Sequence, residues 1–367
     1  MEFYLYVTKD CNLSCTYCSG IGLKRNVESG ANGNQIEDTS VLMERLSRLL
    51  RQTKESNLDS NNTLVFYGGE PLLNQRLIKE IMESTLNNDL KYIMYTNGIL
   101  LDQVEPYILD HLDYLFVSVD GDQRVHELHR GRGTFKKIVE NVVSIRRRFK
   151  GEILARLTVS MEGSLYEMVM GAINLFDHVF WQIESSGRTK NMSTFANAYV
   201  RDINLLVDYW LRNIESGIMK NIVPFQAIAA SLLLDRKHEC LRCGCGSSLV
   251  VMDIDGSCYS CDQLMGVEEF KIGDALNGIK YNGDFLYKGM MPSCEKCEVR
   301  TICGGRCLHD FLRCPPQKRQ MLCNLTMNTI KALEAEIPRV SRSIDTGRIS
   351  LHDLDTYVSK NCVEEIP

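Results

Sequence analysis

The 367-residue sequence lacks the features that mark several large protein classes. It contains no apolar stretch of about 20 residues that could span a bilayer. It also has no basic segment followed by an apolar one at its start, as a secretion signal would. No run of Lys and Arg is long enough to suggest a nucleic-acid partner, and the net charge of -5 disfavours one. We therefore expect a cytoplasmic protein that binds neither membrane nor nucleic acid.

Several catalytic motifs are absent as well. The chain has no Gly-rich P-loop, no nucleophile elbow around a serine and no HExxH zinc motif. His126 and His129 stand three residues apart and could share one face of a helix. A metal site would need more ligands, so we interpret this pair as polar residues of a loop or helix start.

The cysteines are distributed very unevenly. Of fifteen, three lie between residues 11 and 18, none between 19 and 239, eleven between 240 and 323, and the last is Cys362. Cytoplasmic thiols stay reduced, so a disulfide framework is not expected there. Such a number of cysteines in a cytoplasmic chain favours metal or redox chemistry.

The first half of the sequence alternates between strands and helices. Six apolar segments are predicted to be strands: FYLYVT, TLVFY, KYIMY, YLFVSV, ILARLTVS and HVFWQIES. Helical patterns separate them, which is typical of parallel βαβ units. The strands are apolar throughout, as expected when helices cover both faces of the sheet. The pattern predicts an α/β fold and is compatible with either a doubly wound sheet or a partial barrel.

Unusual residues follow four of these strands at their carboxyl ends, where α/β proteins place function. They are the cysteines of CNLSCTYC, then Gly68-Gly69-Glu70, Thr96-Asn97-Gly98 and Ser118-Val119-Asp120-Gly121. Each group alone could be an ordinary turn. Four groups at one rim favour a common site.

The composition changes after residue 185. SSGRTKNMSTFANA is polar and predicted to be a loop, and two amphipathic helices are predicted to follow, in FANAYVRDINLLVDYWLRNIES and VPFQAIAASLLLD. The cysteine-rich segment begins near residue 237. We predict four parts: an α/β domain at 1–185, a helical bridge at 186–236, a cysteine-rich domain at 237–328, and a C-terminal helix and tail at 329–367.

The cysteine loop has three thiols where a closed metal site would have four. Cys11, Cys15 and Cys18 form C-x3-C-x2-C, with the aromatic Tyr17 before the third. A [4Fe–4S] cluster normally takes four thiolates, so three leave one iron open. The loop resembles the signature of the radical S-adenosylmethionine (SAM) superfamily. This resemblance implies a partial (β/α)6 TIM-like barrel, and a cluster whose open iron binds SAM and donates the electron that cleaves it to a 5'-deoxyadenosyl radical.

The resemblance also implies which residues bind SAM. The turn Gly68, Gly69 and Glu70 corresponds to the family's contact with the SAM amino group, where glycines let the backbone approach and a carboxylate suits an ammonium. Ser118 and Asp120 correspond to positions that bind the ribose or the carboxylate. Arg156 is a further partner for the carboxylate or, alternatively, a strand arginine paired with a nearby acid. Tyr17 and Asn97 complete the expected SAM site.

The second group of cysteines resembles the SPASM domain, which holds two auxiliary [4Fe–4S] clusters in radical SAM peptide maturases. The resemblance assigns Cys245, Cys261, Cys307 and either Cys240 or Cys243 to the first cluster, and Cys294, Cys297, Cys303 and Cys323 to the second. Cys258, Cys314 and Cys362 receive no role. Cys-x2-Cys pairs also make zinc ribbons, so zinc is the alternative for this segment.

Together these features predict a radical SAM oxidoreductase that modifies a ribosomally made peptide or protein. A thioether or other crosslink is slightly preferred over oxidation of Ser or Cys to formylglycine. A non-catalytic iron–sulfur or zinc scaffold is the alternative from another class. Flavodoxin or ferredoxin is the expected electron donor. Because the chain starts almost at its first strand, we expect no N-terminal leader-binding domain.

Overall fold

The structure is a computed structural model that describes residues 1–18, 39–55, 62–86, 89–184, 191–238, 241–280, 292–354 and 366–367. The strands are β1 (Glu2–Thr8), β2 (Asn62–Gly68), β3 (Leu90–Thr96), β4 (Tyr114–Ser118), β5 (Glu152–Val159), β6 (His178–Ile183), β7 (Leu249–Met252), β8 (Ser257–Tyr259), β9 (Lys271–Asp274) and β10 (Gly278–Ile279). The helices are α1 (Thr39–Glu55), α2 (Gln75–Thr85), α3 (Pro106–His111), α4 (Gln123–Arg130), α5 (Thr134–Ile145), α6 (Leu165–Ala172), α7 (Met192–Glu215), α8 (Val223–Leu233), α9 (Arg300–Cys303), α10 (Leu308–Arg313), α11 (Pro316–Glu334), α12 (Ile337–Asp345) and α13 (Leu351–Leu354).

The chain forms two compact units, each assembled from separate stretches of sequence. The first unit contains Met1–Ser118, His126–Ile153 and Cys245–Phe285, and the second contains Val119–Val125, Leu154–Gly244 and Leu286–Pro367. The two units therefore interleave along the chain. The four predicted sequence domains remain a prediction.

The first unit contains a mixed sheet in the order β10-β9-β8-β7-β1-β2-β3-β4. Strands β1 to β4 pair in parallel, and β7 pairs in parallel with the other side of β1. Strands β7 to β10 then continue the sheet as an antiparallel meander. The sequence did not predict that part of the cysteine-rich segment extends this sheet.

The parallel strands are apolar because both of their faces are buried. Leu64, Val65 and Phe66 on β2 are all fully buried, although their side chains point alternately to opposite faces. The same holds for residues 3–7 on β1. The predicted α/β class with a large parallel sheet is confirmed, and these strands are consistent with the predicted partial barrel.

An aromatic layer holds the first four strands together. Ring centroids of Tyr4 and Tyr67 lie 5.4 Å apart, those of Tyr67 and Tyr95 5.1 Å, and those of Tyr95 and Phe116 4.6 Å. These residues come from β1, β2, β3 and β4 in turn, so each is a neighbour on the adjacent strand. The layer helps to fix the relative positions of the four strands that carry the predicted site.

The second unit pairs β5 and β6 in parallel and packs them with long helices. The indole N–H of Trp181 donates to the hydroxyl of Tyr199 on α7 at 2.9 Å, and Phe225 on α8 packs edge-on against Trp181. Helix α11 packs against both α7 and α8. This helix continues through residue 328, where the sequence suggested a domain boundary.

One secondary-structure prediction is wrong. Residues 192–194 were expected to belong to a loop, but α7 begins at Met192, three residues before the predicted start at Phe195. The first part of the predicted loop, 185–190, lies outside the described residues. Asn191 precedes the helix in a left-handed conformation with φ of 64°. Asparagine tolerates that backbone better than most residues do, so it can redirect the chain into a helix whose first turn is polar. In the described part of the chain, no helix is long and apolar enough to cross a membrane.

Candidate radical SAM site

The Gly68-Gly69-Glu70 turn is bonded directly to the backbone that leads into the cysteine loop. The N–H of Gly69 donates to the carbonyl of Thr8 at 2.9 Å, and the N–H of Glu70 donates to that of Asp10 at 2.8 Å. A Cβ on Gly69 would lie 2.0 Å from the Asp10 carbonyl oxygen, so only glycine fits. The turn therefore sets the path of the chain immediately before Cys11.

The carboxylate of Glu70 is fully buried and ties the ends of two strands together. Its Oε1 accepts from the N–H of Leu72 at 3.1 Å and from the hydroxyl of Thr96 at 2.8 Å, while Oε2 accepts from the N–H of Asn97 at 2.7 Å. Burial raises the pKa of this carboxyl, and the three donors oppose that rise. The sequence suggested that this carboxylate faces the SAM ammonium. In the structure it accepts hydrogen bonds from the protein's own donors.

Asn97 connects this buried carboxylate to the first cysteine. Its side-chain Nδ2 donates to Oδ1 of Asn12 at 2.6 Å and lies 3.8 Å from the sulfur of Cys11. The sulfur also accepts from the N–H of Leu13 at 3.5 Å. Donors of this kind stabilise a thiolate, which is the form that binds iron. The predicted site residue Asn97 therefore lies beside the cysteine loop.

The other half of the loop is held by the end of helix α4. The N–H of Thr16 donates to the carbonyl of His129 at 3.0 Å, and the Thr16 hydroxyl shares a hydrogen bond of 2.6 Å with Nδ1 of the same histidine. The Tyr17 ring lies 4.8 Å from the His129 ring and 5.3 Å from the guanidinium carbon of Arg130. The N–H of Cys18 donates to the carbonyl of Cys15 at 3.1 Å, which closes a tight turn.

The sequence interpretation of His129 was therefore wrong. His129 is a buried residue at the last turn of α4, with 4% of its surface exposed, and it contacts the loop. His126 is buried as well and packs edge-on against Phe135. The one signal in the sequence was the position of both residues just after SVDG, at the rim that carries the other candidates.

The three cysteines of the loop suit the cluster that the resemblance implies. Cys11, Cys15 and Cys18 are half-buried or exposed, and none of them forms a disulfide. Three thiolates on one short loop leave a fourth coordination position of a [4Fe–4S] cluster for another ligand. The amide donor beside Cys11 fits an anionic sulfur at that position. The donor set therefore fits the group.

The remaining predicted SAM contacts fall in different parts of the structure. Ser118 is half-buried at the end of β4 in the first unit. In the second unit, the buried carboxylate of Asp120 accepts from the N–H of Thr158 at 3.0 Å. Also in that unit, the guanidinium of Arg156 donates to Oε1 of Gln182 at 2.6 Å. Their roles toward SAM stay predictions.

Four of the predicted auxiliary ligands line one cavity in the second unit. Its walls contain Cys294, Cys297, Cys303 and Cys323, together with Val299, Arg300, Gly305, Arg306, Thr326 and Met327. Burial, together with the neighbouring cysteines, raises the pKa of the Cys303 and Cys323 thiols, and Arg306 opposes that rise. The cavity contains Cys323, the residue that the spacing favoured, and its lining does not include Cys314. Four thiols around one cavity fit a four-iron cluster.

The ligands predicted for the first auxiliary cluster come from both units. Cys245 and Cys261 are buried in the first unit, while Cys243 and Cys307 are half-buried in the second. Cys240 and Cys362 lie outside the described residues. This cluster stays a prediction. Among the described residues, no group of three His, Cys, Asp or Glu side chains is arranged to hold a single metal ion.

Cys258, which had no assigned role, is a core residue. It is fully buried on β8, and its thiol donates to the carbonyl of Gly256 at 3.6 Å. Burial, reinforced by Asp274 and Asp255, raises its pKa to about 12. A thiol in this environment stays neutral at physiological pH and is a poor iron ligand.

Comparison with known proteins agrees with this geometry. The family model of the radical SAM superfamily matches residues 5–176, which include the cysteine loop, the glycine turn and Asn97. Residues 5–176 of the chain therefore form a radical SAM domain. The predicted family and the prediction of an enzyme are confirmed.

Two curated relatives and one solved structure match most of the chain. A cysteine-type anaerobic sulfatase-maturating enzyme of Clostridium perfringens is 25% identical over 331 residues, covering 81% of this chain and 85% of the relative. The radical SAM cyclopropyl synthase TigE of Paramaledivibacter caminithermalis is 21% identical, in a match that covers 83% of this chain and 67% of the relative. The structure of anSMEcpe with bound AdoMet and the Cp18Cys peptide matches with a TM-score of 0.70 at 20% identity. The match covers 94% of this chain and 100% of that structure's chain. This last likeness shows a shared fold.

Proposed function

We propose that this enzyme reductively cleaves SAM and oxidatively modifies a ribosomally made peptide or protein. The observation that carries this proposal is the cavity formed by Cys294, Cys297, Cys303 and Cys323, in addition to the radical SAM loop. A second cluster there would give the substrate an electron acceptor. The similarity to a sulfatase-maturating enzyme over 81% of the chain, and the peptide bound by the structural relative, support a peptide substrate.

The cofactors, when bound, supply a 5'-deoxyadenosyl radical. In this proposal Cys11, Cys15 and Cys18 hold the reducing cluster, and Glu70 and Asn97 position that loop. That radical would take one hydrogen atom from the substrate. An auxiliary cluster held by Cys294, Cys297, Cys303 and Cys323 would accept one further electron, while one proton passes to solvent or a base, so that the substrate would undergo a net two-electron oxidation. Flavodoxin or ferredoxin, acting in the cytoplasm, is the proposed donor of the first electron.

Two products fit this stoichiometry. A thioether or carbon–carbon crosslink removes two hydrogens from the peptide and creates no carbonyl. Formylglycine formation from serine also removes two hydrogens but creates an aldehyde, and from cysteine it replaces sulfur with oxygen as well. We slightly prefer the crosslink, while the C. perfringens relative makes formylglycine formation the second candidate. Three [4Fe–4S] clusters are proposed in total, with the first auxiliary cluster on Cys245, Cys261, Cys307 and Cys240 or Cys243.

Mass spectrometry of a reacted peptide tests the proposal. The anaerobically reconstituted enzyme is incubated with SAM, a reductant and two peptides, one carrying a cysteine-type sulfatase motif and one encoded by a short reading frame beside the gene. A crosslink appears as the loss of two hydrogens without reaction with an aldehyde-specific hydrazide, whereas formylglycine reacts with it. The Cys303→Ala variant serves as the control and should cleave SAM without completing the oxidation. SAM cleavage with both peptides unmodified would contradict a peptide substrate of either kind.

A further inference from the structure

Thr16 and Tyr17 are the residues that link the second and third cysteines, and a single buried histidine contacts both. The carbonyl of His129 accepts a hydrogen bond from the N–H of Thr16, and Nδ1 shares a 2.6 Å hydrogen bond with the Thr16 hydroxyl. The imidazole packs against the Tyr17 ring in a tilted arrangement, with 4.8 Å between the ring centroids. The histidine lies more than a hundred residues further along the chain. Backbone, hydroxyl and ring contacts thus converge on two adjacent loop residues.

Thr16 and His129 differ in how deeply they are buried. Thr16 is exposed and lies on a loop, whereas His129 is buried and lies in the regular last turn of α4. A buried helical residue can therefore restrain an exposed residue of the loop. Arg130, the next residue, adds a guanidinium 5.3 Å from the Tyr17 ring centroid.

The opposite end of the loop has its own restraint. The amide of Asn97 contacts the sulfur of Cys11 and the side chain of Asn12. Without His129, this contact would fix only the first of the three sulfurs. With it, the segment between Cys15 and Cys18 is fixed as well. Binding SAM to one iron requires that all three sulfurs hold the cluster in one orientation.

We infer that His129 is a positioning residue, which fixes the orientation of the SAM-binding cluster by holding Thr16 and Tyr17. In this role the histidine acts on the cysteines through Thr16 and Tyr17. It determines where the open iron points, and hence how tightly SAM binds and how the bound SAM perturbs the cluster. This role does not depend on which peptide the enzyme modifies.

A double-mutant cycle between Thr16 and His129 tests the inference. Thr16→Val removes the hydroxyl, and His129→Phe removes Nδ1 but keeps an aromatic ring for Tyr17. Each variant is reconstituted anaerobically, and the dissociation constant of SAM is measured together with the change that SAM causes in the electron paramagnetic resonance (EPR) spectrum of the reduced protein. That SAM-dependent change reports the loop cluster even when auxiliary clusters are present.

Each single variant should weaken SAM binding by about fivefold, since one hydrogen bond contributes about 1 kcal/mol. The double variant should be no weaker than either single one, because both remove the same bond. All three variants should show the same altered SAM-dependent EPR change. If the two single effects multiply in the double variant, or if the EPR change is that of the wild type, the inference is wrong.

His126→Phe is the matched control, because His126 is also buried on α4 but faces Phe135. It should leave the SAM-dependent EPR change as in the wild type. If the SAM-dependent EPR change of His126→Phe differs from that of the wild type, then substituting any buried histidine of α4 has this effect, and the inference is overturned. If His129→Phe fails to fold, Thr16→Val still decides the question, since Thr16 is exposed and its substitution should spare the fold. His129→Asn, which offers an amide near the Nδ1 position, should recover part of the SAM affinity.

Discussion

The side-chain amide of Asn97 lies 3.8 Å from the sulfur of Cys11, while the backbone N–H of the same residue donates to the buried carboxylate of Glu70 at 2.7 Å. Two motifs of the radical SAM domain thus meet through one residue. The glutamate of the glycine turn acts on the cysteine loop through Asn97, and this relationship gives the first prediction.

Replacing Asn97 with aspartate should slow reductive SAM cleavage. Asn97→Asp keeps the oxygen that accepts from the N–H of Ile99 at 3.0 Å, but it removes the donor beside Cys11 and adds a negative charge. Hydrogen bonds to charged groups contribute about 1.5–3 kcal/mol, so we expect a decrease of at least about tenfold. The initial rate of 5'-deoxyadenosine formation measures it.

Asn12→Ala is the control for this substitution. It removes the acceptor 2.6 Å from Nδ2 of Asn97 and leaves the amide itself in place. Its rate should stay within about threefold of the wild type, as expected for one exposed neutral hydrogen bond. An unchanged rate in Asn97→Asp would show that the amide has no influence on the cluster.

Alanine at Gly69 should destabilise the domain and displace the loop. The new Cβ would lie 2.0 Å from the Asp10 carbonyl oxygen, so the backbone has to move. We expect a loss of about 3 kcal/mol in the free energy of unfolding. Gly133→Ala is the control, because no atom lies within 4 Å of its Cβ and only the strain of φ +78° remains, about 1–2 kcal/mol. Equal thermal unfolding midpoints of the two variants would contradict the packing argument.

The neutral thiol of Cys258 should make stability depend on pH in the alkaline range. Burial raises its folded pKa from 9.0 to about 12. In that interval the unfolded chain loses this proton and the folded chain keeps it, so the wild type becomes less stable as pH rises through the interval. Cys258→Ser has no titrating group at position 258. The difference in the free energy of unfolding between the wild type and this variant should therefore change by up to about 1.4 kcal/mol per pH unit in that interval. Urea denaturation at several pH values checks this, and a constant difference would contradict the burial of a neutral thiol.

The cavity of the second unit gives a prediction about iron content. Cys323 lines it with three other cysteines, whereas Cys314 is not among its lining residues. Cys323→Ser should therefore lose about four irons per chain after anaerobic reconstitution, and Cys314→Ser should lose none. Equal iron contents of the two variants would remove the reason for choosing Cys323.

The sequence predicted most of the parallel strands and the positions at their carboxyl ends, because apolar runs and glycine turns are local signals. It could not predict that β7 pairs with β1, since a four-residue strand has no characteristic periodicity and its partner lies far away in sequence. It also missed His129, because only tertiary contacts distinguish a buried histidine from an exposed one on the same helix. The spacing of the cysteines already favoured Cys323 over Cys314, and the lining of the cavity contains Cys323 alone of the two.

The most direct test of the account is the release of 5'-deoxyadenosine from SAM by the anaerobically reconstituted, reduced protein, in the wild type and in a variant with Cys11, Cys15 and Cys18 changed to alanine. The wild type should release 5'-deoxyadenosine and the variant none, and the iron content should fall from about twelve to about eight per chain. No release from an iron-loaded wild type, or equal release from both proteins, would contradict the claim that this loop holds the SAM-cleaving cluster.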